Sequence, residues 1–191
     1  FLGERIARLR VDVSPLHSNR FFLAHLHANG YRMQGFQVAL FREAEPVDTA
    51  LPPGVAIRQV TTEEEAVAAA EIEWVGFDLK GWDEYLRDLV QAIWRRPDWR
   101  VYLALVDGKP AGMATLYMAD GVGCLESACT LPEFRGRGAQ TALIRRRIAD
   151  AAAAGCDLVV SQTGSGTVSQ NNMERCGLRI AYTKAEFFKP E

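Results

Sequence analysis

No apolar run in these 191 residues approaches the ~20 needed to cross a bilayer as a helix. Stretches such as 101–106 and 151–154 are a strand or a helical turn long, and no basic leader precedes an apolar core. A cytoplasmic protein that meets no membrane is therefore expected. Cysteine is scarce as well. Cys124, Cys129, Cys156 and Cys176 form no CxxC pair, which excludes a disulfide scaffold and leaves them as small reduced core residues. The three histidines, His17, His25 and His27, lack metal-ligand spacing and read as solvent-facing, so no metal is expected. Nor is there excess charge of one sign: a net charge of −2 and a pI near 6.0 argue against nucleic acid as a partner.

What is present describes a globular chain of one or two domains, 48% hydrophobic and 24% charged. Residues 49–54 (TALPPG) read as a linker, dividing a first section (1–47) from a second (54–191). In the second section a strand is predicted over 55–60. A helix follows, capped by Thr61 or Thr62 with Glu63, Glu64 and Glu65 in its first turn, and runs to about Val75. Helical spacing returns over 82–94, before a strand at 100–106. Asp107-Gly108 marks a hairpin into 110–118, and a further strand covers 121–130. Then come a helix over 138–154, a strand over 157–162, a short helix over 168–176 and a final strand over 178–188. That order predicts an α+β fold with a mixed, mostly antiparallel sheet flanked by helices.

The first section repeats the end of the second. At an offset of 147, GYRMQGFQVALFR from Gly30 lies over GLRIAYTKAEFFK from Gly177, and Leu9–Val13 lies over Cys156–Val160. Residues 1–47 are accordingly expected to be a partial strand-helix-strand repeat of the fold.

The chemistry concentrates between Cys124 and Ala151. Gly136 and Gly138 allow backbone to approach an anion, and the helix that starts there offers unpaired N–H groups and the positive end of its dipole. Arg135, Arg137, Arg145, Arg146 and Arg147 crowd the same stretch, and local positive charge suits a phosphate-bearing small molecule. A dinucleotide loop would open a parallel βαβ unit, whereas the strands before this one form an antiparallel run. A P-loop would need Lys-Ser or Lys-Thr after the glycines, and none follows.

Over residues 54–191 the sequence resembles the GNAT superfamily of acyl-CoA-dependent N-acyltransferases. Arg135-Gly136-Arg137-Gly138-Ala139, with Pro132 three residues before the arginine, matches the superfamily's signature loop. The resemblance implies acetyl-CoA or another acyl-CoA as cofactor. It would be held by Arg135, Gly136, Arg137, Gly138, Ala139, Gln140 and Thr141 at its phosphates, by Cys129, Thr130 and Leu131 along its pantetheine arm, and reached by Asn172. Gln140 departs from the glycine or alanine usual there.

Amine acylation needs a base for the ammonium and an acid for the leaving thiolate. Glu126 is matched to an acidic position of the superfamily, and strand alternation places Ala128 and Thr130 on its face. The usual tyrosine acid is replaced by Met173. Ser169 matches an alternative acid position, and it could equally cap its own helix; Tyr182 stands in reserve. Trp74, Phe77, Asp78, Trp82, Asp83 and Tyr85 could receive an acceptor amine or simply cap the core. The reading is N-acetyltransfer to a primary amine of a small molecule or peptide. A catalytically degenerate acyl-CoA-binding or regulatory module is the alternative, and a homodimer is left open.

Overall fold

The computed structural model describes residues 9–78 and 92–189. Its strands are β1 (Arg10–Val13), β2 (Arg32–Glu43), β3 (Val55–Gln59), β4 (Trp99–Val106), β5 (Lys109–Ala119), β6 (Val122–Thr130), β7 (Leu158–Gly164) and β8 (Arg179–Phe188). Its helices are α1 (Arg20–Ala28), α2 (Glu63–Gly76), α3 (Ala139–Ala153) and α4 (Val168–Arg175). The α+β expectation holds. The helix predicted over 82–94 lies almost wholly outside the described residues.

Local chemistry accounts for several boundaries. Thr62 Oγ1 accepts from the Glu65 amide at 3.2 Å while Glu65 Oε2 accepts from the Thr61 amide at 2.9 Å, a reciprocal cap that starts α2. Asp107 and Gly108 both take positive φ, 49° and 80°, as a two-residue turn between β4 and β5 requires. Thr167 caps α4, accepting from the Gln170 amide at 3.2 Å, so Ser169 is not that helix's cap.

One eight-stranded sheet runs in the order β1-β8-β2-β7-β6-β5-β4-β3, antiparallel throughout except between β6 and β7. The strands of the first section therefore lie inside the same sheet as the second, with β2 seated between β7 and β8. In the β2–β8 ladder Gln37 stands opposite Lys184, which lies 147 positions later, the offset of the sequence repeat. The sheet separates two apolar clusters. Leu116, Leu125, Leu143, Ile144 and Val159 belong to the one under α3, and Val101, Met113, Cys129 and Ile72 to the one under α2.

Candidate active site

α3 starts without a side-chain cap. Its N-cap is Gly138 at φ 83°, and Gly136 sits at φ 78° two residues earlier. Both conformations are cheap only for glycine. Among the described residues no side chain caps the first-turn amides, which border open space, a dipole end ready for an anion. That space is a cavity of about 780 Å³, walled by the loop, by Ala128–Thr130 of β6, by Thr167–Ser169 and Asn172 of α4 and by the end of α2. The Thr130 hydroxyl is buried and has no partner among the described residues.

The two parallel strands part beside this cavity. Their pairing ends at Leu125 opposite Ser161, where Ser161 Oγ donates to the Leu125 carbonyl at 2.9 Å. One residue further, β6 bulges against β5: Thr115 faces Glu126 and Ala114 faces Ala128, which leaves Ser127 without a partner. The extra residue turns the strand over. Leu125 and Ala128 pack with the cluster under α3, whereas Cys129 packs with the one under α2. This corrects the expectation from alternation: Glu126 shares its face with Thr115, and Ala128 and Thr130 lie on the other. A second cavity of about 490 Å³ opens at the gap and reaches Glu126, Ser127, Gln162 and Ser169.

A buried cation holds the bulge. The inward stripe of α3 carries Leu143, Arg147 and Ala151, so a guanidinium occupies a place that helix periodicity assigns to an apolar side chain. Arg147 is fully buried; its Nη1 donates to the carbonyls of Thr115 and Glu126, each at 2.9 Å, and its Nε to that of Leu143 at 3.1 Å. Burial pushes its pKa down to about 10, which still leaves it charged at neutral pH. The arginine cluster thus does not act as one phosphate patch. Arg137 pairs with Asp107, Arg145 with Asp48 and Arg146 with Asp150.

Two acids flank the bulge. Glu126 Oε1 accepts from Cys124 Sγ at 2.9 Å, and burial together with this carboxylate pushes the thiol up to about 12. Glu73 of α2 was not foreseen from the sequence. Burial raises its pKa, and a hydrogen bond from Ser127 partly opposes the rise. Its one legible signal was an acid on the helix stripe that also carries Ala66, Ala69 and Ala70, all buried.

A sequence profile of the acetyltransferase (GNAT) family matches residues 65–178. This chain is a member of the GNAT family. No curated protein sequence matches it. Among solved structures it is similar to a GCN5-related N-acetyltransferase from Sphaerobacter thermophilus, with a TM-score of 0.78 at 19% identity, over 95% of this chain and 59% of that one. A tandem GNAT protein from the clavulanic acid biosynthesis pathway gives 0.56 at 14% identity, over 95% of this chain and 62% of that one. An aminoglycoside acetyltransferase from an uncultured soil metagenomic sample, in complex with sisomicin, gives 0.57 at 14% identity, over 64% of this chain and 86% of its own. The chain thus spans about three fifths of the Sphaerobacter protein's length.

Most of the residues that the resemblance points to in this GNAT chain line the larger cavity: Cys129, Thr130, Arg135, Gly136, Gly138, Ala139, Gln140, Thr141, Ser169 and Asn172. Two do not. Leu131 packs on the cluster under α2, and Arg137 turns away to Asp107. The Cys129 thiol is engaged on the α2 side, donating to the Ile72 carbonyl at 3.3 Å. Gln140 bridges the two helices, donating to Ser169 Oγ at 3.3 Å and accepting from Asn172 Nδ2 at 2.6 Å. Tyr182 is 45% exposed and lines neither cavity. Trp74 and Asp78 lie at the end of α2, whereas Trp82, Asp83 and Tyr85 fall outside the described residues. The three histidines are exposed. Among the described residues no acidic, histidine or cysteine cluster could hold a metal, and no helix is long and apolar enough to cross a membrane.

Proposed function

We propose that the chain transfers an acetyl or other short acyl group from acyl-CoA to a primary amine of a small molecule or peptide. The observation that carries this reading is the uncapped start of α3, with Gly136 and Gly138 in left-handed backbone, opening on a cavity that continues to the gap between β6 and β7. When bound, acyl-CoA supplies a thioester carbonyl and a thiolate leaving group.

The residues present fit such a cofactor. First-turn amides of α3 would hold its diphosphate, and the buried, unpartnered Thr130 hydroxyl lies on the wall its arm would follow. Glu126, on the wall of the smaller cavity, takes the proton of the incoming ammonium. Ser169, held by Gln140 where the two cavities meet, gives a proton to the departing sulfur. Asn172 steadies Gln140 from the other side.

Residues 1–47 fit best as a partial repeat of the same fold. The likeness to a tandem GNAT protein supports that reading.

Calorimetry with acetyl-CoA, followed by thiol release across a panel of amines, tests the function. Binding in the micromolar range with amine-dependent thiol release is expected. A chain that binds no acyl-CoA overturns the reading.

A further inference from the structure

Arg147 is a costly residue for its place. The inward side of α3 otherwise carries Leu143, Ile144 and Ile148, all fully buried, and an apolar side chain at 147 would pack there without taking a charge out of water. Among the described residues Arg147 makes no ion pair, unlike Arg137, Arg145 and Arg146, and its Nη2 is buried without a hydrogen-bond partner. Its remaining donors go to backbone carbonyls, with those of Thr115 and Glu126 on a single nitrogen.

Those two bonds fix the direction of one peptide. Thr115 and Glu126 stand opposite each other on β5 and β6, and one atom reaches both carbonyl oxygens at 2.9 Å, so the Glu126 carbonyl is turned toward β5. No peptide bond among the described residues is cis, so the Ser127 N–H leaves the same peptide in the opposite direction. On that side the β6–β7 ladder has ended at Leu125, and β7 goes on with β2 alone. Ser127 has no residue opposite it on β5 either, and it lines the smaller cavity. Ala128, the next residue, lines both cavities together with Gln140 and Ser169, so the Ser127 amide stands beside their junction.

A cation on the carbonyl end of a peptide strengthens its N–H as a donor, and hydrogen bonds polarise one another most where water is excluded. Resting on the acyl-transfer reading, we infer that Arg147 is a positioning residue of that reaction: through the Glu126–Ser127 peptide it aims and polarises the Ser127 amide toward the acyl carbonyl. Negative charge gathers on a thioester oxygen when an amine adds, and a donor fixed beforehand lowers that barrier. The guanidinium itself touches no substrate.

The test is carbon-13 NMR of acetyl-CoA labelled at the acetyl carbonyl. Bound to the wild-type protein with no amine present, that carbon should resonate downfield of its position in free acetyl-CoA, the mark of a polarised carbonyl. Arg147→Met keeps most of the volume and should move the signal back toward the free position, with acetyl-CoA affinity by calorimetry kept. Its kcat should fall, by no more than the ~10²-fold that outright loss of an oxyanion donor costs, while the amine KM holds. Ile148→Val, a core change one residue along α3, should leave the signal in place. A wild-type signal at the free position overturns the inference without any variant. A wild-type signal in Arg147→Met, or an equal displacement in Ile148→Val, overturns it too; in all three cases acyl transfer stands. Failure of the wild-type protein to bind acetyl-CoA is the separate result that overturns the acyl-transfer reading, and this inference with it.

Discussion

Arg147 Nη1 donates to the carbonyls of both Thr115 and Glu126 at 2.9 Å, so one buried guanidinium joins the two strands across the bulge at Ser127. Arg147→Ala removes a buried donor from both carbonyls, at about 1–3 kcal/mol each, and opens a cavity as well. Arg147→Met should cost less, because it fills the space and relieves the burial of a charge. Urea unfolding should rank wild type and Met above Ala. An alanine variant as stable as wild type would show that the bulge holds without the clamp.

Glu126→Gln should lower kcat by on the order of 10²-fold and leave acetyl-CoA affinity nearly intact, as expected for loss of a general base outside the phosphate site. Ser169→Ala should lower it less, since a thiolate with a bulk pKa near 8.5 needs little help to leave. Wild-type kcat in Glu126→Gln would transfer the role to Glu73, whose Ser127 partner lines the same cavity.

Glu73 also makes a stability prediction. Its pKa is raised in the fold, chiefly by burial, so between its unfolded and folded pKa values the native state binds more protons than the unfolded chain. Stability should therefore fall as pH rises through that window, upward from the ordinary carboxylate range. Glu73→Gln should remove this part of the slope in chemical denaturation followed from pH 4 upward. A slope unchanged in the variant would assign it elsewhere.

In the loop before α3 the two glycines differ in what an added methyl would meet. A Cβ on Gly138 would lie 2.8 Å from Pro52 Cγ, whereas one on Gly136 meets nothing within 4 Å. Gly136→Ala should cost only the left-handed backbone term, about 1 kcal/mol. Gly138→Ala should cost more, and Pro52→Ala should return part of the difference in a double-mutant cycle. Strict additivity of the Gly138 and Pro52 changes would deny the contact.

Cys124 and Cys129 are pushed up to about 12, mainly by burial. At pH 8 such thiols are ionised at about one part in ten thousand, so iodoacetamide should label the more superficial Cys156 first. Mass spectrometry of the labelled peptides checks the order.

Features set by near neighbours in sequence were legible. The Asp107-Gly108 turn, the Thr62 cap, the glycine loop and the α+β class each follow from a few adjacent residues. Those that depend on distant partners were not. Alternation along β6 could not reveal that Ser127 is extra, because the bulge exists only against β5. Arg147 read as part of a phosphate-suited charge cluster until the carbonyls of Thr115 and Glu126 came beneath it. Glu73 looked like any helical acid until β6 covered it. The repeat suggested that the first section resembles the last, and nothing local said that β2 would sit between β7 and β8.

That placement orders the folding of the chain in time. β2 is made early, yet both of its partners lie more than a hundred residues later: Gln37 pairs with Gly164 on one side and Lys184 on the other. Contacts of such sequence separation form late and slowly, and a strand waiting for them exposes two unpaired edges. During synthesis β2 stays uncommitted until β7 and β8 have emerged, and loss of the last strand would return it to that aggregation-prone condition. Gln37 of the same strand lines the smaller cavity, so that cavity is complete only once β2 has found its late-made partners.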